Sequence, residues 1–343
     1  MNMRYFKSQI FAIAMLPLMM IVTGCGGEDP VHPMSTMAPQ SDLAIWCYQM
    51  FQEVTAWDLL ILTIVVVAFI LAVFFFSTRV GESGPPTAAS SDLKLEVAWT
   101  LGPALILLFI SIPTVRLIFR TQPRGPQANE LPITVIAHQW WWEFRYDDGS
   151  NVVTANELHV PANRPIRLKL VSGDVIHSFW VPRLGGKRDV VPGQVNQINL
   201  ISNVPGEYFG QCAEFCGLSH ANMRFRMFVD SPADFAMWET VQAQPAAAAA
   251  TDTAEGRGAQ IFANSPCTTC HTINGISKGY IGPDLTHLGS RKTIASGIFK
   301  NDPQHLANWI AHPGELKPGA EMPKFDLGGD QLHDLVAYLE SLK

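Results

Sequence analysis

Charge is scarce in this chain and is nowhere concentrated in one sign. Asp, Glu, Lys and Arg make up 16% of the 343 residues, the net charge is −6, and there is no basic tract, which argues against a nucleic-acid partner. Cysteine is equally thin. Six residues cannot staple a chain of this length, so their spacing matters more than their number. Histidine is missing from the two long apolar runs at residues 57–77 and 97–119, so neither run can hold a metal through imidazole. The length itself suggests two or three domains.

What is present begins with a targeting pattern at residues 1–24. Arg4 and Lys7 precede an apolar stretch from Ile10 to Val22, which meets Val22-Thr23-Gly24-Cys25. Charge, then an apolar run, then small residues is the secretory order. Small residues directly before a cysteine also fit a bacterial lipobox, which would make Cys25 the lipidated first residue of the mature chain; a plain signal peptide or retained anchor is the alternative. An N-terminal segment at 25–56 leads into an expected transmembrane hairpin at 57–120. Trp57 to Ser77 and Val97 to Phe119 are each roughly 20 residues, enough to cross a hydrocarbon core of about 30 Å as helix. Pro103 and Pro113 are tolerable there, because neighbouring helices can satisfy the freed carbonyls.

From Leu131 the texture changes to short alternating runs such as Ile133–Ala137, Ile166–Leu170 and Gln197–Ile201, broken by Gly, Pro, Asn and Asp. Roughly 100 residues of this kind, assigned to 131–240, predict a sandwich of two antiparallel sheets. Residues 241–251 carry a five-alanine run and read as a linker. The pattern turns helical over 252–343, where Leu332, Leu335, Val336 and Leu339 share one face of a final packing helix.

Two motifs carry chemistry. Cys267-Thr-Thr-Cys270-His271 places two thiols where they can add to the vinyl groups of a heme, with His271 as axial ligand. Met322 is the only methionine after it and supplies a thioether for the sixth position; His287, His305, His312 and His333 are the rivals. Covalent heme attachment is extracytoplasmic in bacteria, so the hairpin should run out-in-out with residues 79–96 inside, although Arg79, Lys94, Arg116, Arg120 and Arg124 leave the positive-inside count undecided. Upstream, Cys212-Ala-Glu214-Phe-Cys216 is followed by His220 and Met223. Thiolate, thioether and imidazole select copper over hard cations, and two bridging cysteines would hold a pair of ions. His177 is the best-placed second imidazole, with His138 and His159 also available. A Cys212–Cys216 disulfide, a structural zinc site and a copper chaperone remain open on spacing alone.

Four stretches make the sequence recognisable: residues 138–144 (HQWWWEF), 174–182 (DVIHSFWVP), 192–197 (PGQVNQ) and 210–223 (GQCAEFCGLSHANM). Together with the two spans they resemble subunit II of the heme–copper cytochrome c oxidases over roughly Trp46 to Glu239. Pro318-Gly-Ala-Glu-Met322-Pro and Gly282-Pro283-Asp-Leu resemble the methionine and proline loops of class I cytochromes c. The resemblance implies a multidomain chain: a two-helix transmembrane hairpin, a cupredoxin β-sandwich, and an all-α cytochrome c domain. It implies a dinuclear copper (CuA) centre held by His177, Cys212, Cys216, His220, Met223 and the carbonyl of Glu214, with the Glu214 carboxylate reaching a magnesium ion shared with subunit I.

The resemblance also implies that Trp140, an aromatic group exposed near the metal, takes electrons from a docked donor. At least one of Trp141 and Trp142 packs the sheet instead. Glu96 would stand at the mouth of a proton path, or be an ordinary charge at a helix start. The implied activity is electron transfer from an external donor to heme c, then CuA, then subunit I, where dioxygen is reduced to water with proton pumping. The donor would be a soluble or membrane cytochrome c, or a quinol–cytochrome c reductase; the partners would be subunits I and III and membrane lipid. The location would be the bacterial inner membrane, multi-pass, with both cofactor domains on the periplasmic side. A membrane-anchored carrier serving another reductase, and a copper-delivery or thiol-redox protein, are the rival readings.

Overall fold

The computed structural model describes residues 32–76 and 91–343. The targeting segment with Cys25, and most of the loop expected to face inward, lie outside the described residues. The chain divides into two units, and each is described by itself.

In the unit that holds residues 46–122, two helices run side by side, α1 (Asp42–Phe76) and α2 (Leu93–Thr121). Both are long and apolar enough to cross a membrane. Without water, each backbone group must bond within its own segment, and a helix does this. The few hydroxyls obey the same demand: Thr63 donates to the Leu59 carbonyl at 2.7 Å and Thr114 to that of Ile110 at 2.7 Å. Trp57 stacks on Phe109 at 6.0 Å, Thr114 reaches the Met50 sulfur, and Arg120 lies over Trp46. Low numbers on one helix meet high numbers on the other, so the pair is antiparallel. The first helix starts at Asp42 rather than Trp57. Ser41 Oγ accepts from Ala44 N at 3.1 Å, a polar start that the search for apolar residues alone passes over.

The second unit, residues 30–45 and 123–343, contains ten strands in the region where the alternating runs predict them. They are β1 (Leu131–His138), β2 (Trp141–Tyr146), β3 (Val153–Ala155), β4 (Glu157–Pro161), β5 (Ile166–Ser172), β6 (His177–Trp180), β7 (Arg188–Val190), β8 (Asn196–Leu200), β9 (Gly206–Cys212) and β10 (Arg224–Asp230). They form two five-stranded sheets, ordered β3-β2-β1-β5-β8 and β4-β10-β9-β6-β7. The expectation of purely antiparallel sheets needs correcting. β1 runs parallel to β5 and β4 parallel to β10, because these pairs are joined by long connections rather than tight hairpins.

Alternation does its work on β1, where Leu131, Ile133, Val135 and Ala137 point inward. Between the sheets, Phe225 meets Trp142, Phe144 and Phe179 at centroid distances of 5.4, 5.9 and 4.7 Å. Gly210 allows this packing, since a Cβ there would lie 2.2 Å from the Phe225 ring. A helix, α3 (Pro232–Gln242), follows β10 and lays Trp238 on His159 at 4.4 Å.

The C-terminal region is built from α4 (Ala254–Ala263), α5 (Cys267–Cys270), α6 (Pro303–Ala311), α7 (Pro313–Leu316) and α8 (Gly329–Ser341). Two short two-stranded ladders accompany them, β11 (Thr272–Ile273) with β12 (Ser277–Lys278) and β13 (Thr293–Ile294) with β14 (Phe299–Lys300). Phe262, Leu306, Ile310, Leu335, Tyr338 and Leu339 form its core. Gly258 lets α4 approach α8 closely: a Cβ would lie 2.0 Å from the Asp334 carbonyl oxygen. The alanine-rich stretch is no loose tether. Ala246 and Ala249 pack on this core, and the Gln244 carbonyl faces His287 Nε2 at 3.0 Å. A methyl group is small enough to lie on a packed surface without a periodic pattern to announce it.

Phe225→Ala should remove the shared partner of three rings and cost about 3–5 kcal/mol. A fall in the urea midpoint of unfolding, followed by tryptophan emission, checks this; an unchanged midpoint contradicts it.

Candidate metal centre and heme cavity

The cysteine cluster occupies the loop from the end of β9 to the start of β10. The loop is closed at its base by Cys212 N donating to the Met223 carbonyl at 2.9 Å. Strand β6 pairs with β9 so that Phe179 faces Cys212, which brings His177, two residues earlier, to the same end. The ligand atoms of His177, Cys212 and Cys216 all lie within 4.8 Å of one another. His177 Nδ1 is 3.9 Å from Cys212 Sγ, and His220 Nδ1 is 3.6 Å from Cys216 Sγ. Met223 Sδ stands 3.8 Å from Cys216 Sγ, and the Glu214 carbonyl 3.2 Å from Cys212 Sγ.

The two sulfurs are 3.8 Å apart, nearly twice the about 2.05 Å of a disulfide. They are free thiols. Two sulfurs, two imidazoles, a thioether and a carbonyl are more donors than a four-coordinate structural zinc takes, and their softness suits copper. The donor set therefore fits a copper pair. The alternatives for the second imidazole are engaged elsewhere: His138 stacks on Trp141 and pairs with Glu143 at 3.2 Å, and His159 pairs with Asp230 at 2.7 Å.

Electrostatics prepare the site. The Cys216 thiol hydrogen-bonds to Cys212 and holds its thiolate, pulling that group down to about 3. The same bond, with burial, pushes Cys216 up. Burial alone would depress His177, but hydrogen bonds to Asp174 and Cys212 outweigh it and raise it. Asp174 Oδ1 lies 2.7 Å from His177 Nε2, while its other oxygen accepts from Gln139 N at 2.6 Å. Burial works against the Asp174 carboxylate, yet bonds from His177, Val175 N and Gln139 N hold it below the usual range. An ionised Asp174 can only accept, so Nε2 carries the proton and Nδ1 is left bare for a metal.

The second candidate centre is a cavity of about 340 Å³. Cys267, Cys270, His271 and Met322 all line it, and none of the four rival histidines does. His271 Nδ1 lies 2.8 Å from the Pro283 carbonyl, which leaves Nε2 free to bind a metal. Burial lowers the His271 imidazole, keeping it neutral and ready to ligate. A Cβ at position 282 would come within 2.6 Å of the His271 ring, so the glycine of Gly282-Pro283 is required. Arg291 also lines the cavity, and its buried Nε has no hydrogen-bond partner. An orphaned guanidinium nitrogen beside two thiols and a histidine fits a ligand with carboxylate groups, as a heme has.

Trp140 was expected to be exposed, and it is not. It is only 9% accessible, because Gly319 of the C-terminal region lies on its ring, where a Cβ would be 2.7 Å away. The indole lines the heme cavity on one side and donates from Nε1 to the Cys216 carbonyl at 2.9 Å on the other. Gln139 Nε2 donates to the same carbonyl at 2.7 Å. Trp142 is wholly buried in the sandwich core, and Trp141 lines the cavity.

Asp174, Gln139, Arg291 and Lys317 escaped the sequence reading. Asp174 stood inside a quoted motif three residues before His177. Gln139 likewise lies within residues 138–144, whereas Arg291 and Lys317 carry no local signal; the Trp140 carbonyl that Lys317 meets is far along the chain.

A soft-donor metal site and a c-type heme cavity, in a chain with two membrane-length helices, define an electron-transfer protein held at a membrane. Comparison with known proteins agrees. Three family models match: Cytochrome C oxidase subunit II, transmembrane domain, over residues 44–117; the periplasmic domain of the same subunit over 150–229; and Cytochrome c over 256–343. Cytochrome c oxidase subunit 2 of Alkalihalophilus pseudofirmus is 32% identical across 99% of both chains. That of Bacillus subtilis is 32% identical across 97% of both, and that of Bacillus sp. strain PS3 is 33% identical over 78% of this chain and 80% of its own. The chain belongs to the cytochrome c oxidase subunit 2 family, with a fused cytochrome c region.

Asp174→Ala should lower copper affinity by about 10–100-fold, as loss of an outer carboxylate on a ligating histidine does, and leave heme content unchanged. Chelator competition measures it. Because His177 is raised and must be neutral to ligate, copper retention should fall as pH drops through its range.

Proposed function

We propose that this chain is the electron-accepting subunit of a bacterial cytochrome c oxidase. Cys267 and Cys270 would attach heme c, and His271 and Met322 would supply the protein donors to its iron. His177, Cys212, Cys216, His220, Met223 and the Glu214 carbonyl would hold the CuA pair. When bound, the two groups each supply a one-electron redox couple; the chain's own residues set the distance and the path between them. The observation that carries the reading is the position of Trp140, whose indole lines the heme cavity and hydrogen-bonds to Cys216. One ring and one hydrogen bond connect the two sites.

Electrons would come from a soluble or membrane cytochrome c or a quinol–cytochrome c reductase, and leave to subunit I, where dioxygen is reduced to water and protons are pumped. Phe215, Leu218, Val175 and Ile176 are exposed apolar side chains in or beside the ligand segments, which suits a face that a subunit I covers. The Glu214 carboxylate is exposed at the same end, where a magnesium ion could be shared across that contact. Glu96 sits in the first turn of α2 behind the Asp92 cap, and a proton-path role there competes with a plain favourable charge at a helix start. A third subunit, lipidation at Cys25 and a multi-pass inner-membrane location with the cofactor domains on the periplasmic side complete the proposal. Domain limits of 25–56, 57–120, 131–240, 241–251 and 252–343 are part of it. A carrier serving some other reductase is disfavoured, because oxidase subunits match the chain from end to end.

A Cys267→Ser/Cys270→Ser chain, assembled in its complex, should keep its copper spectrum but lose covalent heme. Copper reduction by the external donor should then slow by more than about tenfold, since Trp140 is covered. Reduction at the unaltered rate would contradict the proposed order of carriers.

A further inference from the structure

The seam between the β-sandwich and the C-terminal region is made of buried polar groups that each find a partner across it. Lys317 is 5% exposed. Its Nζ donates to the Trp140 carbonyl at 2.5 Å and to Ser296 Oγ at 2.7 Å. Ser296, itself 2% exposed, donates to the same Trp140 carbonyl at 2.7 Å. Both lone pairs of that oxygen are thus taken by the C-terminal region. One residue beyond Lys317, the Pro318 carbonyl accepts from Ser219 Oγ at 2.6 Å, and Ser219 lies fully buried in the cysteine loop. Gly319, with φ of 82°, then presses on the Trp140 ring. At another edge of the seam, Glu157 accepts from Lys292 N at 2.9 Å, Thr293 N at 2.8 Å and Thr293 Oγ1 at 3.0 Å.

A domain that swung on its tether would expose these groups to water in one position and desolvate them in the other. A buried ammonium is costly even when its hydrogen bonds are made. Here both acceptors are neutral, and burial brings the Lys317 amine down to about 7. Apolar side chains would close the same seam more cheaply, so position is what the lysine contributes. Its chain neighbours give it that precision, because Pro318 and Gly319 are themselves fixed on Ser219 and Trp140.

We propose that Lys317 is a positioning residue for electron transfer: with Ser296 it clamps the Trp140 carbonyl, holding the indole between the heme cavity and Cys216 and docking the C-terminal region permanently on the copper-site face. This rests on the proposed order of carriers. The alanine-rich stretch then acts as a packed connector, in keeping with Ala246 and Ala249 lying on the C-terminal core.

Hydrogen–deuterium exchange on the full-length chain in its complex tests the clamp without using electron transfer. Amides in residues 139–142, 292–297 and 316–320 should be protected in the unaltered protein. In Lys317→Met, which keeps an unbranched side chain of similar length without its donors, they should exchange about tenfold faster while residues 133–137 of β1 stay unchanged. Electron transfer within the chain after flash reduction of the heme should slow about tenfold, with both midpoint potentials unmoved. If Lys317→Met does not fold, Ser296→Ala decides, with a smaller change in the same direction expected. Rapid exchange of the unaltered seam overturns the proposal. So does a folded Lys317→Met, or Ser296→Ala in its place, with both exchange and transfer rate unchanged. A missing heme or copper signal alongside a protected seam would instead count against the carriers and leave the clamp standing.

Discussion

The hydrogen bond from Trp140 Nε1 to the Cys216 carbonyl joins parts of the chain that otherwise have separate tasks. Cys216 belongs to a loop whose geometry is set by two strands, and Trp140 directly precedes the strand that carries the buried Trp142 and Phe144 into the sandwich core. The indole is therefore anchored by the apolar core on one side and by the metal loop on the other. Its outer surface is then covered by Gly319, so that the same ring becomes a wall of the heme cavity. If that bond were lost, the cysteine loop would lose a contact and the cavity would lose a side.

Burial explains why so few charges shape the sites. In a chain with 16% charged residues, the ones placed inside act at short range and low dielectric. Asp174, at the solvent-facing rim, orients the buried His177 and restrains Gln139, the neighbour of Trp140, through its two oxygens. Arg291 lines the cavity and leaves one buried nitrogen without a partner. Lys317 is held by two neutral oxygens. Arg291 and Lys317 would be screened by solvent on an open surface. Asp174 and Lys317 each restrain a group at one of the candidate centres, and a shift of about one ångström in such geometry is enough to change a rate strongly.

Much of this was legible from residues alone. The spans follow from unbroken apolar runs of sufficient length, and the strands around Ile133, Ile166 and Ile198 and the final helix from hydrophobic periodicity, which responds to burial locally. Cys267, Cys270, His271, Cys212, Cys216 and His220 declare themselves because metal and heme chemistry demand particular residue types at short spacing. The start of α1 at Asp42 was missed because a helix cap is polar and carries no apolar period. The parallel pairing of β1 with β5 was missed because alternation is the same in parallel and antiparallel strands. Trp140 was expected at the surface because nothing near it in sequence reports Gly319, which lies in the C-terminal region far along the chain.

The amino-acid order by itself determined the kinds of chemistry available: soft donors spaced for copper, a heme-attachment motif with one later thioether, and two stretches long and apolar enough to cross a bilayer. These depend on neighbours a few residues apart, so local spacing carries them. The tertiary structure alone decided that Arg291 lines the cavity with an unpartnered buried nitrogen, and that Trp140 is sealed between two candidate centres by Lys317, Ser296 and Gly319. Those are contacts between residues tens to hundreds of positions apart, created only when the strands pair and the C-terminal region packs, and no local pattern encodes them.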